Sequence, residues 1–416
     1  MSRQRLNFVN NSLSKKGYLI ALLNILLFRS FIIKKHTTER FAKFLNVDPE
    51  RLFFFGAGRM GIYALLKSLN FTEKDEVIVA GYTCVVVTNA VKFAGCQVRY
   101  VDIDPNTLNL NIELLFESIN NNTKAIIIPH NFGVAFNEIR KIKVLYPEII
   151  LIEDAAHCLG SSDSQGELCG TIADAGFYSF EYSKPITCGL GGVMVINNPI
   201  LLNSFSSQYK ELPSMGMRNV FKIIVTLGAH NLAYFKNTSF FYRNTFRILR
   251  LFKLVYVTSE GEIGGDKPAD YPVRLNDSLY SFLWPQIIKI EEIIDKKKAL
   301  ADTYFNVFSK FNDLRLLDHK NSVLVRYPLV FADYISTDKV NTIRHESMKK
   351  GLNLGMWFND VVHPVGSFRY CYQSGSCIVG ESISNRIINL PINVNYADMT
   401  NEIEELVQVL KHHNIN

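Results

Sequence analysis

Short apolar runs of strand character recur through the first half of this chain, and helical stretches separate most of them. The runs fall at 75–80, 96–104, 123–129, 148–154, 174–180 and 192–196, with an extended Phe53-Phe-Phe entry into a glycine turn ahead of them. Helical patterns at 60–69 and 83–94 lie between the early ones. Alternation of this kind predicts an α/β fold, a three-layer α/β/α domain with a mostly parallel sheet. In such sheets ligands bind at the carboxyl ends of the strands. Gly58, Asp154, Ser179 and Lys184 all fall at those places.

The second half reads differently. A long helical run covers 276–310, and a smaller α+β unit follows from Ser322. It comprises a strand at 323–331, a helix at 337–350, a strand at 387–391 and a closing helix at 399–412. At 416 residues the chain is too long for one ordinary domain. The expected division is a basic apolar segment at 1–44, a large domain at 45–275 with an insertion at 212–259, and a C-terminal unit at 276–416. With 48% hydrophobic and 20% charged residues the chain can bury a large core, which excludes whole-chain disorder. Seven cysteines without a CxxC or Cys/His spacing exclude a disulfide scaffold and a zinc module, so no metal is expected. A reducing, cytoplasmic setting is the simplest reading.

The formal charge of +6 is unevenly placed. Residues 1–40 hold eight Lys/Arg against Glu39 alone, and residues 212–259 hold seven against no acid. The rest of the chain is therefore acidic, and nucleic acid is not an expected partner. Both basic segments are also apolar. The first contains a 16-residue run, Tyr18 to Ile33, interrupted by Asn24 and Arg29. A spanning helix needs about 20 apolar residues, so the run is read as neither a membrane span nor a signal peptide. In the second, Arg243, Arg247 and Arg250 recur at helical spacing among Phe246, Leu249 and Phe252. Two readings stay open: a helix lying on an anionic membrane face, or a hairpin packed on the protein itself or a second subunit.

Lys184 lies between Phe177-Tyr-Ser-Phe180 and Gly189-Leu-Gly-Gly192. A lysine between a strand and a glycine-rich turn can point its amine into a cleft, where desolvation makes it a nucleophile toward an aldehyde. Asp154 ends the strand Ile149-Ile-Leu-Ile-Glu-Asp154 and suits either a helix cap or a partner for a pyridinium proton. Gly56-Ala-Gly58-Arg59-Met60 is a turn running into a helix, and its amides suit a phosphate.

The order and spacing of these elements resemble the DegT/DnrJ/EryC1/StrS family of pyridoxal-phosphate-dependent sugar aminotransferases. The passages that carry the resemblance are Asp75-Glu-Val-Ile-Val-Ala-Gly-Tyr82-Thr83, Gly95-Cys-Gln-Val-Arg-Tyr-Val-Asp-Ile-Asp104, Ile152-Glu-Asp-Ala-Ala-His157-Cys-Leu-Gly160 and Gly176-Phe-Tyr-Ser-Phe180 with Lys184 and Gly191-Gly192. The resemblance spans roughly 45–205 and 265–412. It implies the aspartate aminotransferase fold, and a homodimer with shared active sites. By position it implies Lys184 as the Schiff-base lysine, Asp154 as partner of the pyridine nitrogen and His157 beside the cofactor ring. It implies phosphate contacts from Ser179 and the Gly58-Arg59-Met60 turn. Where the family commonly has a ring-stacking aromatic, this chain has Cys84, so Tyr82 covers the ring instead or nothing does. Where the family's partner-subunit loop often reads Asn-x-Arg, this chain has Pro272-Val-Arg274, leaving Arg274 for a phosphate across the interface.

The activity this implies moves an amino group from an amino acid, L-glutamate in the family's usual practice, to a nucleotide-linked keto sugar for surface polysaccharide or amino-sugar synthesis. Lys184 argues against the family's dehydratases, which carry histidine there. An inactive membrane-associated homologue is the other reading. The 212–259 stretch is an insertion relative to short family members. His130 and His363 are candidates for substrate contact, Cys158, Cys169 and Cys188 are read as buried small residues, and Asp102 and Asp104 as turn-formers.

Overall fold

The computed structural model describes residues 8–9, 12–232, 239–256, 260–395 and 398–416. Arg3, Arg5 and Lys236 of the basic segments lie outside the described residues. In chain order the strands are β1 (Leu52–Phe55), β2 (Glu76–Ala80), β3 (Thr83–Cys84), β4 (Gln97–Val101), β5 (Thr123–Pro129) and β6 (Ile150–Asp154). They continue as β7 (Ala175–Ser179), β8 (Gly192–Ile196), β9 (Leu314–Arg315), β10 (Arg326–Phe331), β11 (Val362–His363) and β12 (Ile387–Pro391).

Seven of these form one sheet in the order β1-β8-β7-β6-β5-β2-β4. The β4-β2-β5-β6-β7 part is parallel, and β8 and β1 complete it antiparallel. The sheet is covered on both faces, which is why its strands read as unbroken apolar runs rather than alternating ones. In β5, Ala125 and Ile127 join one core cluster while Ile126 and Ile128 join the other. Val77 and Val79 of β2 divide from Ile78 and Ala80 in the same way. The two-residue period of a strand thus feeds two separate cores, and the chain adopts the expected three-layer α/β/α arrangement.

A second, antiparallel sheet, β12-β10-β9, belongs to the C-terminal part. The expected helical run at 276–310 is two helices, Asp277–Ile287 and Ile290–Phe308, interrupted at Ile288 and Lys289. Asp277–Ile287 packs against the N-terminal helices Lys15–Leu26 and Ser30–Leu45. Lys34 reaches Asp277 at 2.9 Å, and Ser12 Oγ donates to Gln286 Oε1 at 2.7 Å. Asp104 forms a turn through the amides of Asn106 and Thr107. Asp102 does something else: its carboxylate accepts the Val379 and Gly380 amides at the start of the helix Ile378–Ser384.

Candidate active site

The sheet brings the site residues together through its strand ends. Asp154 closes β6 and Ser179 closes its neighbour β7. Ser179 and Phe55 both pair with Gly192, so the glycine turn after β1 arrives at the same edge. That convergence needs two glycines. A Cβ on Gly192 would lie 2.4 Å from the Gly58 nitrogen and 2.8 Å from the Tyr178 carbonyl oxygen. Cys84 and His363 come in from the side, paired across the two-stranded β3/β11 ladder.

A cavity of about 400 Å³ opens at this edge. Gly58, Arg59, Cys84, Asp154, His157, Ser179, Lys184 and His363 all line it. His130 lines it too, but it is buried and its Nε2 lies 3.0 Å from Glu153 Oε2 while its Nδ1 accepts the Phe136 amide. Three residues expected at the site are not among its lining residues. Met60 has its amide bonded to the Ala57 carbonyl and its side chain in the core. Tyr82 is buried, with its hydroxyl accepting the Phe358 amide and donating to the Phe358 carbonyl, which leaves it no freedom to cover a ring. Arg274 lies beside Tyr209, with its Cζ 5.9 Å from that ring.

The electrostatics follow from burial. Lys184 has its pKa lowered, because desolvation disfavours the ammonium more than Glu181 and Asp154 restore it. Asp154 is raised, again chiefly by burial, and the Ala156 amide donates to its Oδ1 at 3.1 Å. His157 is pushed well down by burial and by the cations Lys184 and Arg326, and His363 falls to about 3 for the same reasons. Both imidazoles are therefore neutral at pH 7. Arg59 is not an open anion contact: Glu262, itself buried, pairs with its guanidinium.

Sequence reading missed three participants. Trp357 stacks on His157 at 4.8 Å and 14°, and Lys184 Nζ lies 4.6 Å from its ring centroid. Arg326 is buried with its Cζ 3.4 Å from the Trp357 ring, and its Nε makes no hydrogen bond among the described residues. An arginine inside the apolar run Val323-Leu-Val-Arg326-Tyr-Pro-Leu-Val-Phe331 was the signal available for it. Nothing in the sequence marks Glu262 as the partner of Arg59. The sequence also holds Gly61 three residues after Gly58, so the turn does have the GxGxxG spacing. The fold separates it from a dinucleotide site: β1 is an edge strand antiparallel to β8, not the first strand of a parallel βαβ unit.

The model of the DegT/DnrJ/EryC1/StrS aminotransferase family matches residues 38–411. The chain belongs to that family. One relative, the uncharacterized protein MJ1066 of Methanocaldococcus jannaschii, is 28% identical over 84% of this chain and 82% of its own length. GDP-perosamine synthase of Vibrio cholerae is 32% identical over 42% of this chain and 47% of that protein, so this match spans less than half of either. The putative sugar aminotransferase Spr1654 of Streptococcus pneumoniae, solved in its PMP form, superposes with a TM-score of 0.75. It is 17% identical, over 99% of this chain and 98% of that one.

The family is pyridoxal-phosphate-dependent, and this site fits the group. Ala57 at the start of the helix Gly58–Ser68 supplies no side-chain cap, so the Gly58 and Arg59 amides beside Ser179 suit a phosphate. Asp154 at the strand end suits a pyridinium, and Lys184 an aldehyde.

The cluster of His130, Cys158 and Cys169 brings three potential ligand atoms within 4.8 Å of one another. Both nitrogens of His130 already have hydrogen-bond partners, so the imidazole offers no lone pair to a metal.

Proposed function

We propose that this family member transfers the amino group of an amino acid, L-glutamate, to a nucleotide-linked keto sugar in amino-sugar or surface-polysaccharide synthesis. The observation that carries the reading is one cavity lined by Asp154 at the end of β6, by Lys184 in the loop after β7 and by the buried guanidinium of Arg326. Pyridoxal phosphate, when bound, would supply an aldehyde and a sink for the electron pair left on Cα when its proton is removed. The chain's own groups then divide the work. Lys184, with its basicity reduced, takes a proton from one carbon and returns it to another. Asp154 holds a positive charge at the strand end. Neutral His157 and the Trp357 indole give the cavity a flat apolar wall that keeps water from the reacting face.

Arg326 suits the donor's carboxylate. Its pKa falls to about 9, chiefly because burial disfavours the cation, and Glu181 only partly offsets this. An incoming carboxylate would supply the counter-charge and bind it bidentately. Lys184 stands against dehydration, since the family's dehydratases place histidine there.

The test is transfer of ¹⁵N from labelled L-glutamate to nucleotide-linked 4-keto sugars, read by mass spectrometry. Transfer that needs Lys184 supports the reading, and no amino sugar from any amino acid offered rejects it. Arg326→Met is expected to raise the KM for glutamate about 10- to 100-fold, the worth of a charged hydrogen bond, with the KM for the keto sugar unchanged.

A further inference from the structure

The two basic apolar segments, far apart in sequence, meet in the fold. The Tyr18 hydroxyl donates to the Ile224 carbonyl at 3.1 Å, and a Cβ on Gly228 would lie 2.7 Å from that hydroxyl. The helix Ser239–Leu251 packs on Met217–Leu232, with the Phe246 ring 5.3 Å from His230. One side of this layer is committed to the protein's own body. Gly17, Ala21 and Asn24 are buried in the first helix, as are Val220, Ile223 and Leu227 in Met217–Leu232. Ile223 lies over Gly189, and His230 meets Tyr182, both in the loop that carries Lys184.

Each segment also carries an uncovered face. At the junction of the two N-terminal helices Leu23, Leu26, Leu27, Phe28, Phe31 and Ile32 are all exposed, Phe28 at 94%. Arg29 and Lys35 are exposed beside them, and Lys15 and Lys16 are exposed at the start of the first helix. In the second segment Ile248, Leu251 and Phe252 are exposed beside exposed Arg247, Arg250 and Lys253. We propose that these uncovered faces dock on the surface of a bilayer containing anionic lipid, with Phe28 and Phe31 entering the headgroup boundary and the cations meeting phosphates.

Charge decides between lipid and a second copy of the chain. A closed dimer confined to these faces would place each patch against itself or against the other. Residues 212–259 contain no acid, and Glu39, the single acid of residues 1–40, lies 3.9 Å from Lys35 of its own helix. Such a contact would oppose cation to cation, whereas anionic headgroups neutralise both patches. Among the described residues no helix is long and apolar enough to cross a membrane, so the docking is on the surface. Two separate patches suit it, because a single weak anchor gives only marginal attachment.

The experiment is co-sedimentation of the cofactor-loaded protein with vesicles of phosphatidylcholine, with and without phosphatidylglycerol. The expected result is sedimentation with the phosphatidylglycerol vesicles at low salt and release at high salt. Phe28→Ser/Phe31→Ser and Arg247→Glu/Arg250→Glu should each lower the partition at least about tenfold, with amino transfer and near-ultraviolet circular dichroism unchanged. No sedimentation of the wild type at low salt overturns the proposal, as does equal sedimentation of the variants. Light scattering that shows Phe28→Ser/Phe31→Ser splitting an oligomer would assign these faces to a second copy and also overturn it.

Discussion

Lys184 and Asp154 depart from their ordinary basicities for one shared reason, burial in the cavity, and that reason gives each a task. Lys184→Ala is expected to lower amino transfer by about 10⁴-fold, the upper range for a lost proton-transfer group, with circular dichroism unchanged. Gly192→Ala tests the backbone approach under the phosphate turn. Its Cβ would run into Gly58, and a loss of about 3 kcal/mol in chemical denaturation is expected, as for forced overpacking. Asp154 and Ser179 were legible because each ends an apolar run, and a run's end is visible in sequence; Lys184 was read from its place between such a run and a glycine-rich turn, and His157 from the family resemblance. Tyr82 was misplaced because its phenol is committed to the Phe358 backbone, 276 residues away. Trp357 and Arg326 were missed for a related reason. They belong to β10 and the loop before β11, and only tertiary packing carries them to the large sheet.

At the scale of elements, the strands of the large sheet were found easily because covered parallel strands are uniformly apolar. The short helices Ile112–Ser118 and Ile139–Leu145 were not, since about two turns carry too little periodicity to read. The helix Ile290–Phe308 carries an ionisable group that no sequence pattern exposes. Lys297 is fully buried, its Nζ donates to the Ile392 carbonyl, and burial lowers its pKa from 10.5 to about 7. The sign follows from linkage: above pH 7 the unfolded chain binds a proton there that the folded chain does not, so stability rises with pH between about 7 and 10. Below pH 7 both states are protonated, and the fold bears the whole penalty of a buried ammonium. Lys297→Met removes the titration. Its melting temperature relative to wild type should therefore be highest at pH 6 to 7 and fall steadily toward pH 10. A difference that does not change with pH would contradict this.

For the molecule as a whole, Arg274 does not line the cavity of its own chain and lies beside Tyr209. The homodimer expected from the family would let it serve the other subunit's site. Arg274→Ala and Lys184→Ala should then each be inactive alone and recover activity when refolded together, because one hybrid site retains both residues; absence of recovery would confine Arg274 to a structural role. A half-reaction shows whether Lys184 and Asp154 make this cavity a working transamination site. The purified protein is loaded with pyridoxal phosphate and its absorbance recorded before and after L-glutamate. The expected result is a visible band that requires Lys184, that glutamate abolishes, and that a keto sugar restores. A visible band in wild type that glutamate leaves unchanged, or one that persists in Lys184→Ala, would contradict it.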